Sequence, residues 1–193
     1  LDLHWYTYTP LPDNLLPVAT DTSTLHITVY HHQYANDARY LKAALSAIEQ
    51  FSRKNIVVQS TIAVNEIPAQ QDWLFWLADE PAINKGAENI LQYAKGKHSS
   101  ITSWILPAGQ NFFTPVDLYT AVIESDTGKP TGELLWKDGY GKAMLTRQHE
   151  NTANYYRLYT HIDPKWNELP WSDNFPQLLF QLLYEKQSQQ SAN

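Results

Sequence analysis

Residues 25–63 restrict the possible folds of this chain more than any other segment. Residues 25–30 alternate in polarity and are rich in β-branched side chains, which is typical of a strand. Residues 56–63 show a second strand pattern. Between them, apolar side chains recur at helical spacing at Leu41, Ala44, Leu45 and Ile48. A strand, a helix and a strand with short joints predict a right-handed βαβ unit with parallel strands.

Residue types near both ends of this first helix favour its start and its stop. Asn36 and Asp37 can each cap the N-terminus. Arg53 and Lys54 suit a helix C-terminus, and Asn55 can close the helix in the left-handed region. The helix is therefore expected to end close to Asn55.

The rest of the chain is predicted to contain more strands than helices. Residues 107–133 are rich in proline and glycine and are interpreted as largely loop, with a possible strand at 118–124. A final helix is predicted after Ser172, which can cap it. Its apolar stripe consists of Phe175, Leu178, Leu179, Leu182 and Leu183. The other predicted strands are residues 72–77, 89–94, 101–106, 142–148 and 155–162.

The length and the distribution of prolines predict one domain. A chain of 193 residues suits a single sizeable core, and no linker divides residues 25–186. Residues 1–24 are interpreted as an extended lead-in and residues 187–193 as a frayed polar tail. The chain begins at Leu1 rather than Met, and we expect it to be a piece of a longer protein.

Composition excludes several function classes. The formal charge is −6 and the 14 basic residues are scattered, so nucleic-acid binding is not expected. The chain has no cysteine, which excludes disulfides, thiolate metal sites and a cysteine nucleophile. No apolar run approaches the about 20 residues that cross a bilayer. The segment itself is therefore expected to be soluble.

The sequence contains no complete catalytic or phosphate-binding motif. It has no GxxxxGK[ST], GxGxxG, HExxH or GxSxG pattern. Gly139-Tyr140-Gly141 is better interpreted as a turn between two strands than as a phosphate loop. We therefore expect no catalytic, cofactor-binding or metal-binding residues and no cofactor.

Two pairs of polar residues follow predicted parallel strands, at the sheet edge where ligands usually bind. His31 and His32 follow the first strand, and Asp79 and Glu80 follow the strand at residues 72–77. Metal binding or acid–base chemistry is one interpretation of these pairs. Solvated loops are the simpler interpretation, because adjacent residues on a strand point to opposite faces.

Tryptophans supply a third kind of candidate site. Trp136, Trp166 and Trp171 lie in segments that could recognise a partner or a sugar, since Trp is enriched at binding hot spots. Alternatively, their rings fold back and fix long loops onto the sheet.

Five segments, taken in order, resemble one known family. Residues 159–176 resemble the C-terminal signature of BatA-type membrane proteins of Bacteroidota, and residues 37–45 resemble their first helix. Residues 72–77, the pair Ser103-Trp104 and residues 135–141 fit the same pattern. The resemblance covers residues 3–183.

This resemblance implies a fold, a location and a physiological context. The implied fold is α/β, a three-layer flavodoxin-like sandwich similar to class I glutamine amidotransferases, with a mainly parallel central sheet and an antiparallel C-terminal part. Amidotransferase activity is not carried over, because those enzymes need a nucleophilic cysteine. The family has an N-terminal double-transmembrane region and a further membrane segment, which by the positive-inside rule places this domain in the periplasm. Bat proteins are linked to aerotolerance and envelope stress.

We therefore expect a non-catalytic interaction or scaffold domain, tethered to the membrane through segments absent from this sequence. Its expected partners are other envelope or membrane proteins. One alternative is a hydrolase or amidohydrolase that uses His, Ser or Asp at the C-terminal edge of the sheet. A cluster of His31, His32, Asp79 and Glu80 around one pocket would support it. Another is a carbohydrate-binding module that uses the three tryptophans.

Overall fold

A computed structural model describes residues 23–109, 114–123 and 132–184. In these residues the strands are β1 (Leu25–His31), β2 (Ile56–Thr61), β3 (Gln71–Leu77), β4 (Ala87–Tyr93), β5 (Lys97–Pro107), β6 (Val116–Ile123), β7 (Glu133–Asp138), β8 (Ala143–Glu150) and β9 (Ala153–Leu158). The α-helices are α1 (Ala35–Ser52) and α2 (Asn174–Tyr184). Short 3-10 turns lie at Val64–Glu66 and Leu169–Trp171.

The nine strands form one mixed sheet in the order β2-β1-β3-β4-β9-β8-β7-β5-β6. The first five strands in this order are parallel to their neighbours, and the remaining pairings are antiparallel. The antiparallel half curls until β6 meets the chain that follows β9. There the Tyr119 and Thr120 amides donate to the Trp166 carbonyl, and the Val122 amide donates to the Tyr159 carbonyl. The sheet is therefore a half-barrel.

Both helices pack on one face of the sheet. The first helix buries Ala38, Leu41 and Ile48 against the main core, and the second buries its predicted apolar stripe there. Full burial of a leucine or isoleucine side chain contributes about 1.5–3 kcal/mol. The Ser172 hydroxyl accepts a hydrogen bond from the Asn174 amide at 3.1 Å, so its predicted role at the start of the last helix is confirmed.

The other face of the parallel half is covered by loops. A second apolar cluster, which includes Leu74, Trp76 and Ile90, packs beneath loop residues such as Val64 and Ala82. No α-helix of the described residues lies in this cluster. The parallel half therefore has a helical face and a loop face.

The predicted three-layer flavodoxin-like, glutamine amidotransferase-like fold is wrong. A doubly wound sandwich needs helices on both faces, and here the β2–β3 and β3–β4 connections are nine residues each and contain no α-helix. The two connections also pack closely on each other: at Gly86, where φ is +83°, an added Cβ would clash with the Ala69 carbonyl oxygen. After β4 the chain enters antiparallel strands instead of further helical crossovers.

Of the predictions for single elements, those for the first strand pair and for the turn between β7 and β8 are confirmed, and that for the end of the first helix is wrong. The parallel pairing of β1 with β2 and the turn at Gly139-Tyr140-Gly141 are present, the latter joining β7 to β8. The first helix ends earlier than expected, because Arg53 rather than Asn55 adopts the left-handed conformation, with φ of 57°. The single domain at 25–186 stays a prediction. Most of the lead-in at 1–24 and the whole tail at 187–193 lie outside the described residues.

Within the described part of the chain, no helix is both long enough and apolar enough to cross a bilayer.

Candidate functional site

A cluster of polar and aromatic side chains lies at the carboxyl edge of the parallel strands. Its members, which we call the carboxyl-edge cluster, are Tyr34, Asp37, Asp79, Tyr93, His161 and Trp166. They come from four segments of the chain: the start of the first helix, the loop after β3, the end of β4 and the chain after β9. This is the edge at which open parallel sheets usually bind ligands.

The centre of the cluster is a buried contact of three side chains. The Tyr93 hydroxyl donates to Asp37 Oδ2 at 2.6 Å, and His161 Nδ1 lies 3.7 Å from the same oxygen. The Ile162 amide donates to the Tyr93 oxygen at 3.4 Å. Asp37, Tyr93 and His161 are only 3%, 6% and 4% exposed. An acid, a base and a phenol are therefore held together away from water.

The His161 ring lies between two other rings. Its centroid is 4.0 Å from that of Tyr93 and 4.1 Å from that of Trp166, with interplanar angles of 14° and 19°. The Tyr34 ring meets its edge at 4.7 Å. Pairs of this kind contribute about 0.5–1.5 kcal/mol beyond the area that they bury. The stack fixes the imidazole and closes both of its faces.

Burial shifts the two central pKa values in opposite directions. Desolvation raises the pKa of Asp37 to about 6, which the hydrogen bond from Tyr93 partly opposes. Desolvation, with a smaller contribution from His98, lowers the pKa of His161 to about 4. At neutral pH the carboxylate is therefore ionised and the imidazole is neutral.

A hydrogen-bonded carboxylate lies at the outer side of the cluster. Asp79 accepts hydrogen bonds from the Tyr34 hydroxyl at 2.6 Å and from the Gln33 amide at 2.7 Å. The bond from Tyr34 is the main cause of the lowered pKa of Asp79. Asp79 is exposed and stays ionised, in contrast to Asp37.

Asn167 fixes the loop that carries the imidazole. Its side-chain amide donates to the Thr160 hydroxyl at 2.9 Å and to the His161 carbonyl at 2.7 Å. Its Oδ1 accepts from the Leu169 amide at 3.0 Å. Because Asn167 is fully buried, these bonds hold the chain after β9 in one conformation.

The structure does not bring the sequence-predicted edge residues together. His31 Nε2 lies 3.1 Å from Ser60 Oγ, and its Nδ1 is buried without a partner in the described residues. His32 is exposed, and the Glu80 carbonyl accepts from the Trp76 indole at 2.9 Å. Of the two predicted pairs, only Asp79 belongs to the carboxyl-edge cluster.

Sequence reasoning missed the central residues of the cluster. The sequence predicts a strand at 155–162, which would contain His161, whereas β9 ends at Leu158. With the shorter strand, Thr160 and His161 would have been recognised as polar residues just beyond a strand end. The sequence predicts only a capping role for Asp37, and no sequence pattern points to Tyr93.

The three tryptophans have different surroundings. Trp136 lies on β7 and is buried in the main core, whereas Trp166 lies in the chain after β9 and stacks on His161. Trp171 is 64% exposed and lies beside a cavity of about 410 Å³ between the two helices. This cavity, which we call the helical groove, is lined by Ala47, Phe51, Pro170, Trp171, Asp173 and Pro176, among others.

Two further observations bear on the site. Among the described residues, no three His, Asp or Glu side chains are placed to hold a metal ion. Comparisons with protein families, with curated proteins and with solved structures find no match to this chain.

Proposed function

We propose that this chain is a non-catalytic interaction domain of a membrane-anchored envelope protein, located in the periplasm. The observation that carries the interaction role is the helical groove, with two large exposed rings at its sides. Trp171 is 64% exposed and Phe51 is 55% exposed. Single exposed apolar residues are ordinary, but two that border one concave apolar surface are typical of a contact site. The resemblance to BatA-type proteins supports the anchor and the location.

The groove favours a particular kind of partner segment. Its walls are helical and packed on the core, so they are preformed, and Trp is a frequent hot-spot residue. The edge of the Tyr40 ring supports the indole of Trp171 at a centroid distance of 5.5 Å. Asp173 is the one charged residue among those that line the groove. We therefore expect the partner to insert one or two apolar side chains that are flanked by a lysine or arginine.

The closure of the carboxyl-edge cluster also supports a non-catalytic role. A general base must come within hydrogen-bond reach of its substrate. The faces of the His161 ring are covered by Tyr93 and Trp166, and Asp37 is almost fully buried. In this arrangement the polar side chains stabilise the loop rather than present reactive atoms.

Acid–base chemistry at the same cluster is the second candidate function. The observation that favours it is the pair Asp37 and His161, whose pKa values are shifted in opposite directions at the ligand-favoured edge. If this candidate function is correct, the purified domain should hydrolyse chromogenic ester or amide substrates. This activity would also have to be lost in His161→Phe, a variant that keeps a ring in the stack.

Photo-cross-linking in native envelopes tests the interaction role. A benzophenone amino acid at Gln177, inside the groove, should give one discrete cross-linked product with a protein that carries the expected apolar and basic segment. Trp171→Ala should abolish that product. The same probe at Glu88, an exposed site on β4, is the control. Equal products at Gln177 and Glu88, or a product that survives Trp171→Ala, would contradict the proposal.

The proposed location has its own test. In spheroplasts that express the full-length protein, added protease should digest this domain while a cytoplasmic marker stays intact. Protection until the inner membrane is lysed would place the domain on the other side.

A further inference from the structure

A second concave site lies on the loop face of the sheet, opposite the helices. It is a cavity of about 280 Å³, which we call the polar cavity. Its lining consists of Ala82 and six polar side chains: Gln92, Thr146, Gln148, Glu150, Tyr155 and Arg157. We propose that this cavity binds one uncharged, hydroxyl-rich ring, such as a single sugar unit.

Strand register explains why these side chains converge. Arg157 on β9 is the direct partner of Gln92 on β4 and of Thr146 on β8. The next row on the same face pairs Tyr155 with Gln148. Directly opposite residues have Cβ atoms about 5 Å apart, so the rows place polar groups at fixed, short spacings. The floor of the cavity is therefore set by the sheet and not by mobile loops.

One hydrogen bond joins the wall of the cavity to its floor. The Ala82 amide, in the β3–β4 connection, donates to Gln92 Oε1 at 3.1 Å. This bond uses the acceptor of the Gln92 side chain and leaves its two N–H donors for other partners. The loop therefore forms one wall of the pocket on the sheet surface. Its hydrogen bond also orients the Gln92 side chain, which lines the pocket.

The chemistry of the lining favours hydroxyl groups. A hydroxyl both donates and accepts, and the lining offers donors and acceptors on amide, carboxylate, guanidinium and hydroxyl groups. Arg157 already contacts other protein groups, but a guanidinium has five N–H donors. The half-buried Tyr155 ring supplies an apolar surface for ring C–H groups. An apolar ligand would displace water from this polar lining without replacing its hydrogen bonds, which is costly.

Charge and size narrow the ligand class further. The lining has one cation, Arg157, and one anion, Glu150, so neither a charged acid nor an amine is favoured as a whole. The volume of about 280 Å³ suits a ligand with one ring inside the pocket. This ligand class is independent of the partner proposed for the helical groove, which lies on the other face.

The test is a titration of the ¹⁵N-labelled domain, followed by NMR. The probes are glucose, galactose, mannose and N-acetylglucosamine, with glucuronate and glucosamine as the charged comparisons. We expect at least one neutral sugar to give saturable shifts at residues 92, 146, 148 and 157, with a millimolar dissociation constant. Gln148→Ala and Thr146→Val should each weaken binding by about fivefold, which is the loss expected for one hydrogen bond. Gln50→Ala, at an exposed position on the first helix, is the matched control.

Any of four results would overturn the proposal. The first two are no saturable shift with any neutral sugar and shifts confined to surfaces outside the cavity. The other two are tighter binding of glucuronate or glucosamine than of every neutral sugar and binding that both lining variants leave unchanged. If a lining variant fails to fold, the wild-type shift map still decides, because shifts confined to other surfaces would overturn the proposal. Cross-linking at Gln177 is unaffected by each of these outcomes, so the two proposals fail separately.

Discussion

His161 Nδ1 lies 3.7 Å from Asp37 Oδ2, and burial moves the pKa values of the two groups in opposite directions. When the pKa of a histidine is lowered in the folded state, the protein loses stability as pH falls from the unfolded pKa towards the folded pKa. When the pKa of a carboxyl group is raised in the folded state, the protein gains stability as pH falls from the folded pKa towards the unfolded pKa. Between about pH 6.5 and 4 the two contributions therefore largely cancel.

In Asp37→Asn, only the contribution of His161 to the pH dependence of stability should remain. The pKa of His161 falls from its usual 6.5 to about 4, so the free energy of unfolding of this variant should drop as pH decreases from 6.5 to 4. The expected drop is up to roughly 3 kcal/mol more than in the wild type. Urea unfolding at several pH values measures it. Asp173→Asn, at an exposed position, should follow the wild-type profile. Parallel profiles for Asp37→Asn and the wild type would contradict the prediction.

Tyr93→Phe should raise the pKa of Asp37 above about 6. The Tyr93 hydroxyl donates to the carboxylate and lowers its pKa, so its removal leaves burial less opposed. The lost hydrogen bond to a buried charge should also cost about 1.5–3 kcal/mol of stability at neutral pH. A carboxyl ¹³C titration gives the pKa, and urea unfolding gives the stability. An unchanged or lower pKa for Asp37 would show that the phenol does not stabilise the ionised form.

Asn167→Ala should loosen the loop that carries His161. The substitution removes three hydrogen bonds from a fully buried side chain and leaves their partners unpaired. We expect a loss of about 2–4 kcal/mol and faster amide hydrogen exchange at residues 160–169. Asn65→Ala, at an exposed position, serves as the control. Unchanged exchange in this loop would mean that other contacts hold it.

Gly86→Ala should be clearly more destabilising than Gly141→Ala. Both glycines have positive φ, +83° and +84°, so both variants carry the strain of about 1 kcal/mol that a side chain meets there. Only at Gly86 would the new Cβ also clash, with the Ala69 carbonyl oxygen. Nothing lies within 4 Å of the Cβ position at Gly141. Thermal unfolding of the two variants isolates the clash, and equal melting temperatures would refute it.

Patterns confined to a short window could be predicted from the sequence. The stripe at Phe175 and Leu178 marked the last helix, and the alternation at residues 25–30 marked the first strand, because each pattern depends on neighbours in the chain. The absence of helices from the loop face of the sheet is not marked by any such local pattern. The prediction of a fold with helices on both faces rests on a family resemblance and not on the residues of the two nine-residue connections.

The candidate site depends on a pairing between distant segments. His161 reaches Asp37 only because β9 joins β4 in parallel, and this places the end of β9 beside the ends of β1, β3 and β4. Local patterns do not encode which strand pairs with which, since the pairing of β9 with β4 joins segments about 65 residues apart in the chain. Sequence reasoning therefore located Asp79, which follows a strongly apolar strand, and missed the histidine.

The return of β6 onto the chain after β9 leaves the sheet with unequal ends. At the β6 end, the amides of Tyr119, Thr120 and Val122 already have carbonyl partners, so an incoming strand finds few open positions there. At the other end, β2 pairs within the described residues only with β1. Strand-by-strand growth into a fibre needs two open edges on each molecule. Within the described residues, growth by addition of strands is therefore hindered at the β6 end of the sheet.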